Sequence, residues 1–160
     1  MTIFISGQSY FELLEETKVS IQADPIDELN VVWQYPKLFG QGQVREITLR
    51  KGLLIQIYDC QLQNTVKIEF PERKDILRYH FHLLGHHQNY DTTVNNREFA
   101  IYGSGCNPRA TNNGVSQTTL EVTVFVEPET LLSFISDNTE QLHKNLQHLI
   151  RLAIAFVMLV

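Results

Sequence analysis

The sequence predicts a mainly β fold, a sandwich or barrel, with one helix before the strands and two after them. Between Gln43 and Val126, short segments rich in β-branched and aromatic residues alternate with turn residues, at the spacing typical of such folds. The clearest segment, residues 77–84, places apolar side chains on one side and Arg78, His80 and His82 on the other. The predicted strands are residues 43–50, 53–61, 66–70, 77–84, 98–103 and 118–126.

Local signals fix the elements that frame these strands. Residues 10–18 have helical spacing of their apolar side chains, and Ser6 or Ser9 is a candidate N-cap. Lys51 and Gly52 separate the first two strands and predict a tight hairpin turn, because glycine takes the positive φ that such turns need.

From Pro128 onward the pattern is helical. Residues 128–135 predict a short helix with Pro128 near its first position, and a longer helix follows. The apolar residues of the longer helix recur at alternating steps of four and three, the heptad stripe of a coiled coil. The stripe that we expect to dimerise consists of Leu142, Leu146, Leu149, Ala153 and Phe156. The chain thus divides into a barrel with its N-terminal helix, residues 1–127, and a helical dimerisation segment of the same domain, residues 128–160.

Composition describes one ordinary globular domain of 160 residues, 43% hydrophobic and 19% charged. The net charge is -5 and no run of Lys or Arg exceeds two residues, so we expect no direct binding to nucleic acid. The apolar residues 152–160 are fewer than the roughly 20 that cross a bilayer, and the N-terminus lacks the pattern of a secretion signal. Cys60 and Cys106 form no Cys-x-x-Cys motif, which favours free thiols in the cytoplasm.

Four of the six histidines lie within residues 80–87. Residues two apart on a strand point the same way, so His80 and His82 could share one metal ion, as in small barrels of the cupin type. His86 is the candidate third ligand. Such sites carry a carboxylate three or four residues later and a histidine on a later strand, and neither is present here. The sequence therefore favours a protein without a cofactor, and a divalent metal is the alternative.

A second candidate site is a pocket between the strands. We expect Gln56, Tyr58, His80, His82 and Tyr102 to line it, because the pairs Gln56/Tyr58 and His80/His82 each share one face of a strand. The opposite face assignment, with Leu53, Ile55 and Ile57 inward, would fill the interior and leave no pocket. Apolar counts on that strand favour the filled interior, so both assignments stay open.

The order of several short motifs resembles the N-terminal sensor domain of AraC-type transcriptional regulators, in a cyanobacterial branch related to siderophore-sensing regulators. The motifs are Val32-Trp33-Gln34-Tyr35-Pro36, Gly40-Gln41-Gly42, Arg45-Glu46-Ile47-Thr48-Leu49-Arg50-Lys51-Gly52-Leu53, Pro71-Glu72-Arg73, Tyr79-His80-Phe81-His82-Leu83-Leu84-Gly85, Tyr102-Gly103-Ser104-Gly105 and Leu120-Glu121-Val122. The resemblance implies a cupin-like β-barrel, or double-stranded β-helix, followed by helices that dimerise. It also implies binding of a small-molecule effector without catalysis, and a separate DNA-binding half that is absent from this chain.

Three hypotheses follow. The leading one is a ligand-binding, dimerising regulatory domain of the AraC type that is not an enzyme. The rival is a metal-dependent cupin enzyme in which His80, His82 and His86 hold Fe or Zn and leave open positions for substrate. The third is a structural protein whose last helix pairs with a second copy of itself.

Overall fold

The structure, a computed structural model, confirms the mainly β prediction. It describes residues 1–19, 30–69, 76–88, 93–103, 110–112, 117–134 and 155–159. These residues contain helix α1 (Gly7–Glu16), helix α2 (Pro128–Phe134) and two β-sheets that do not close into a barrel within these ranges. The strands are β1 (Thr2–Ser6), β2 (Lys18–Val19), β3 (Asn30–Gln34), β4 (Gly40–Arg50), β5 (Leu53–Leu62), β6 (Thr65–Glu69), β7 (Leu77–Leu84), β8 (His87–Gln88), β9 (Thr93–Val94), β10 (Glu98–Tyr102), β11 (Ala110–Asn112), β12 (Gln117–Val126) and β13 (Ala155–Leu159).

Helix α1 begins at Gly7, directly after the candidate N-cap Ser6, and ends two residues before the end of the predicted segment 10–18. Ser6 is its N-cap, and the Ser6 hydroxyl oxygen accepts a hydrogen bond of 3.1 Å from the backbone N–H three residues later. Tyr10 and Leu14 lie one turn apart and are buried. After the helix, the Thr17 hydroxyl donates to the carbonyl of Gln34 at 2.6 Å, which ties the end of α1 to β3.

The larger sheet has the strand order β13-β10-β7-β12-β5-β4-β3-β2. Its described neighbours are all antiparallel. The β4–β5 hairpin turns at Lys51 and Gly52 as predicted, and Gly52 adopts a φ of +76°, which glycine reaches without strain.

The register of this sheet aligns two rows of side chains on one face. The first row runs across β4, β5, β12 and β7 and contains Glu46, Gln56, Thr123 and His80. The second row, two residues away on each strand, contains Val44, Tyr58, Glu121 and His82. Because alternate residues of a strand point to the same side, both rows lie on one face, which we call the inner face. Leu53, Ile55 and Ile57 have the opposite parity and lie half-buried on the other face.

The smaller sheet has the order β1-β6-β11-β8-β9 and includes a parallel pair, β1 with β6. The main core joins α1, the larger sheet and β6. Its buried members include Tyr10, Phe39, Val44, Leu62, Val66 and Ile68. The inner face of the larger sheet is therefore covered by α1 and by part of the smaller sheet.

The C-terminal end corrects one prediction. Residues Ala155–Leu159 form strand β13, antiparallel to β10, with Phe156 opposite Ile101, so the helix predicted to run through Phe156 is wrong there. A short, wholly apolar run suits a strand as well as a helix, and here the open edge of β10 supplies backbone partners. The other residues of the predicted stripe, Leu142, Leu146, Leu149 and Ala153, lie outside the described residues.

Candidate functional site

Four side chains meet between the two sheets: His80, His82, His87 and Glu121. Their potential ligand atoms all lie within 4.8 Å of one another. We call this group the His/Glu cluster. His80 and His82 come from β7 and Glu121 from the neighbouring β12, whereas His87 comes from β8 of the smaller sheet.

Strand register explains how Glu121 reaches the histidines. Glu121 is paired with His82 across β12 and β7, and a register shift lies between Leu120 and Glu121. Side chains paired across antiparallel strands stand about 5 Å apart, close enough to converge on one point. The carboxylate that the sequence pattern lacks after His82 is thus supplied by another strand.

A glycine turn brings His87 back to the cluster. Gly85 follows β7 and has a φ of +82°, which a residue with a side chain rarely adopts. A Cβ at Gly85 would also lie 2.8 Å from the carbonyl oxygen of Thr118. The adjacent His86 is outside the cluster, and its backbone carbonyl accepts a hydrogen bond of 3.1 Å from the Gln117 side chain.

Each histidine uses its second ring nitrogen in a hydrogen bond outside the cluster. The Nδ1 of His80 lies 2.8 Å from the hydroxyl of Thr123, which belongs to the neighbouring strand β12. The Nδ1 of His82 donates to the carbonyl of Leu84 at 3.4 Å. The Nε2 of His87 lies 3.2 Å from the hydroxyl of Tyr102. These contacts orient the three rings. They turn the remaining nitrogens of His80 and His82 toward Glu121 and that of His87 toward His82.

The inward-facing atoms are close but incompletely paired. His82 Nε2 and His87 Nδ1 are 2.5 Å apart. One carboxylate oxygen of Glu121 lies 3.7 Å from His80 Nε2 and 3.6 Å from His82 Nε2. His80 Nε2 is buried and has no hydrogen-bond partner among the described residues, which is costly unless another group occupies the space.

Burial controls the charge of the cluster. It lowers the pKa of His82 to about 4 and that of His87 to about 3, and it holds the pKa of His80 well below the usual value. Burial raises the pKa of Glu121 to about 8. The imidazoles are therefore neutral at pH 7, the form that binds metal ions, and the Glu121 contacts join groups that are mostly uncharged.

A cavity of about 350 Å³ lies further along the inner face, toward the β4–β5 hairpin. Its walls include Phe11, Glu46, Arg50, Leu54, Gln56 and Phe125. The side-chain amide of Gln56 donates to the carboxylate of Glu46 at 2.6 Å. Gln56 and His80 stand in the same row with one strand between them, so about 10 Å separates the cavity wall from the cluster.

The structure distributes the five predicted pocket residues over this face. His80 and His82 belong to the cluster, and Tyr102 contacts it through His87. Gln56 lines the cavity, whereas Tyr58 packs against the main core. His87 stands where the metal hypothesis placed His86.

Sequence reasoning missed Glu121 and His87. A weak signal for Glu121 was present, because Thr119, Glu121 and Thr123 place three polar residues on one face of a strand whose other face is apolar from Leu120 to Val126. The signal for His87 was the glycine two residues before it, which permits a reversal of the chain.

Together, the fold and the site define a β-rich domain with a buried cluster of potential metal ligands and a neighbouring cavity. Residues 40–158 match a family model described as the regulatory protein PchR N-terminal domain. That match covers well over half of the chain, and the chain belongs to this family, whose namesake is an AraC-type regulator. It is therefore a regulatory domain of that type.

Comparisons with curated proteins and with solved structures find no match. The cupin-like and cyanobacterial assignments stay predictions. Among the described residues, no helix is both long and apolar enough to cross a bilayer.

Proposed function

We propose that the chain is the effector-binding and dimerising part of an AraC-type regulator, and that another part of such a regulator contacts DNA. The cavity on the inner face carries this proposal, and family membership supports it. A net charge of -5 is unfavourable for direct contact with phosphates. A role in regulating transcription also supports our proposal of a cytoplasmic location. The same family membership favours regulation over the alternative, a metal-dependent enzyme.

The cavity has the composition of a small-molecule site. Phe11, Leu54 and Phe125 provide apolar area, and Gln56 and Arg50 provide polar groups that can orient a ligand. Its volume of about 350 Å³ lies at the small end of the range for such sites, roughly 300–1,000 Å³. We propose an effector with an apolar ring system and one anionic group, which would face Arg50.

Anilinonaphthalene sulfonate has these two features and serves as a probe. We expect the native chain to enhance its fluorescence saturably, and we expect Leu54→Trp to weaken the apparent affinity at least about tenfold, about 1.4 kcal/mol, by filling the cavity. The matched control is Leu49→Trp, because Leu49 is 52% exposed and lies outside the cavity wall. Equal titration curves for Leu54→Trp and the native chain would contradict the cavity as the binding site.

Dimerisation is proposed from the heptad spacing of Leu142, Leu146 and Leu149, which lie outside the described residues. Light scattering coupled to size exclusion should give twice the chain mass of 18.5 kDa. We expect Leu146→Glu combined with Leu149→Glu to give monomers, because two charges in the stripe would have to be desolvated. The control, Lys144→Glu, changes charge on the polar face and should leave the dimer intact. A dimer that survives the double substitution would disprove this interface.

A further inference from the structure

We propose that His80, His82, His87 and Glu121 together bind one divalent first-row transition-metal ion. Three imidazole nitrogens and one carboxylate oxygen form a donor set that suits Zn²⁺, Fe²⁺, Co²⁺ or Ni²⁺. The hard cations Mg²⁺ and Ca²⁺ prefer sites made of oxygen ligands, and this cluster has one such side chain.

The shortest separation between donor atoms is 2.5 Å and all lie within 4.8 Å of one another, which brackets the spacing that coordination requires. Bonds of roughly 2.0–2.2 Å in a tetrahedral site place neighbouring donors roughly 3.3–3.6 Å apart. Glu121 already lies at 3.6 and 3.7 Å from the inward nitrogens of His82 and His80. The Nε2 of His82 and the Nδ1 of His87 are 2.5 Å apart and would have to move apart by about 1 Å. An ion at the centre would also give His80 Nε2 the partner that the described residues do not provide.

The contacts around the cluster also suit a metal site. Metal-binding histidines almost always use the other ring nitrogen in a hydrogen bond to an oxygen atom, that of a carboxylate, a backbone carbonyl or a water, which fixes the ring and its tautomer. Here Thr123, Leu84 and Tyr102 provide one such partner for each histidine. In His82 the Leu84 carbonyl can only accept, so Nδ1 carries the proton and Nε2 presents a lone pair to the cluster.

The site lies between the two sheets, so a bound ion would affect how they are held together. His80, His82 and Glu121 belong to the larger sheet and His87 belongs to the smaller one. A single ion would therefore connect the two sheets. It would also fix the turn at Gly85, which carries the chain from one sheet to the other.

The test is a titration of the untagged 160-residue chain, stripped with a chelator, with Co²⁺ followed by visible absorption and with Zn²⁺ followed by calorimetry. We expect one ion per chain in both titrations, and visible Co²⁺ bands of the intensity that four-coordinate sites give, which Zn²⁺ displaces. The bands report coordination directly, so they decide the question even for a chain whose variants fold poorly. Absence of saturable binding, or several weak ions per chain without such bands, would overturn the proposal.

Variants separate this site from adventitious binding by histidine. Glu121→Gln keeps the shape of the side chain but removes the anionic donor. Loss of a residue that only hydrogen-bonds to a metal ligand weakens metal binding by about 10- to 100-fold. We expect Glu121→Gln to weaken binding by more than this, because it removes a ligand. The control is His86→Ala, which removes the adjacent histidine outside the cluster and should leave affinity unchanged. Unchanged affinity in Glu121→Gln, or lost affinity in His86→Ala, would contradict the assigned ligands.

Metal binding at the cluster and effector binding in the cavity are independent claims with separate probes. Co²⁺ bands can appear in a chain that does not bind anilinonaphthalene sulfonate, and the converse can also occur. Thr123→Val adds a further distinction, because it removes the partner of His80 Nδ1 without removing a ligand. It should weaken Co²⁺ by about 10- to 100-fold, whereas a cluster that binds no specific ion would be indifferent to it.

Discussion

Replacing Phe39 with alanine should lower the free energy of unfolding by about 3–5 kcal/mol, the range measured for large aromatic residues in protein cores. Phe39 is fully buried in the main core. Its ring is stacked on Tyr10 of α1 at a centroid distance of 5.6 Å and meets Tyr35 edge-on at 6.1 Å. Removing the ring would leave a cavity where α1 joins the larger sheet, since these two neighbours are held by separate elements and cannot both close on it.

Urea denaturation followed by circular dichroism measures this loss. Leu38→Ala is the matched control, because Leu38 is the preceding residue in the same turn and is 52% exposed. We expect the control to change stability by no more than about 0.5 kcal/mol. Similar midpoints for the two variants would show that Phe39 is not a core residue.

The sequence predicted the strands well where one face of the strand is polar and the other apolar. Strand β7 has both of its predicted ends, because its side chains alternate from Leu77 to Leu83 and Gly85 follows the strand. The turn at Gly52 was predicted for a similar reason, since glycine marks a backbone conformation that other residues avoid. These signals are local and can be read without knowing what the strand packs against.

The face of β5 could not be decided in this way. Both faces of β5 carry large side chains, and apolar counts favoured placing Ile55 and Ile57 inward. In the structure the opposite parity, with Gln56 and Tyr58, lies on the inner face. Register alone decides this, because a slip of one residue moves every side chain of a strand to the other face.

Two of the four residues of the His/Glu cluster could be predicted from the sequence, because only these two lie on the same strand. His80 and His82 belong to one strand, so their common direction follows from the period of two. Glu121 lies about 40 residues further along, and its position opposite His82 depends on the pairing of β12 with β7 and on an irregularity in that pairing. The position of His87 depends on the direction of the turn at Gly85. Glycine permits such a turn but does not determine its direction.

The second large effect concerns the stability of the chain with and without metal. A ligand that binds only the folded state stabilises it in proportion to the logarithm of its concentration over Kd, by about 4 kcal/mol at about 1,000 times Kd. For a domain of this size, that corresponds to a rise in Tm of roughly 8–16 °C. Because the proposed ligands come from both sheets, we expect Zn²⁺ to raise the Tm of the native chain by this amount and a chelator to reverse the rise.

The variant Glu121→Gln distinguishes stabilisation by Zn²⁺ bound at the cluster from a general effect of the ion on the protein. Without metal, the variant should be at least as stable as the native chain at pH 7. Burial raises the pKa of Glu121, so the native carboxyl must take up a proton on folding, whereas an amide of nearly the same shape is neutral in both states. With Zn²⁺ it should gain little, since an amide oxygen does not supply the negative charge that holds the ion. His86→Ala should gain as much as the native chain. An equal rise in Tm for Glu121→Gln and the native chain would mean that Zn²⁺ acts elsewhere on the protein, and the cluster would then be a hydrogen-bonded part of the core.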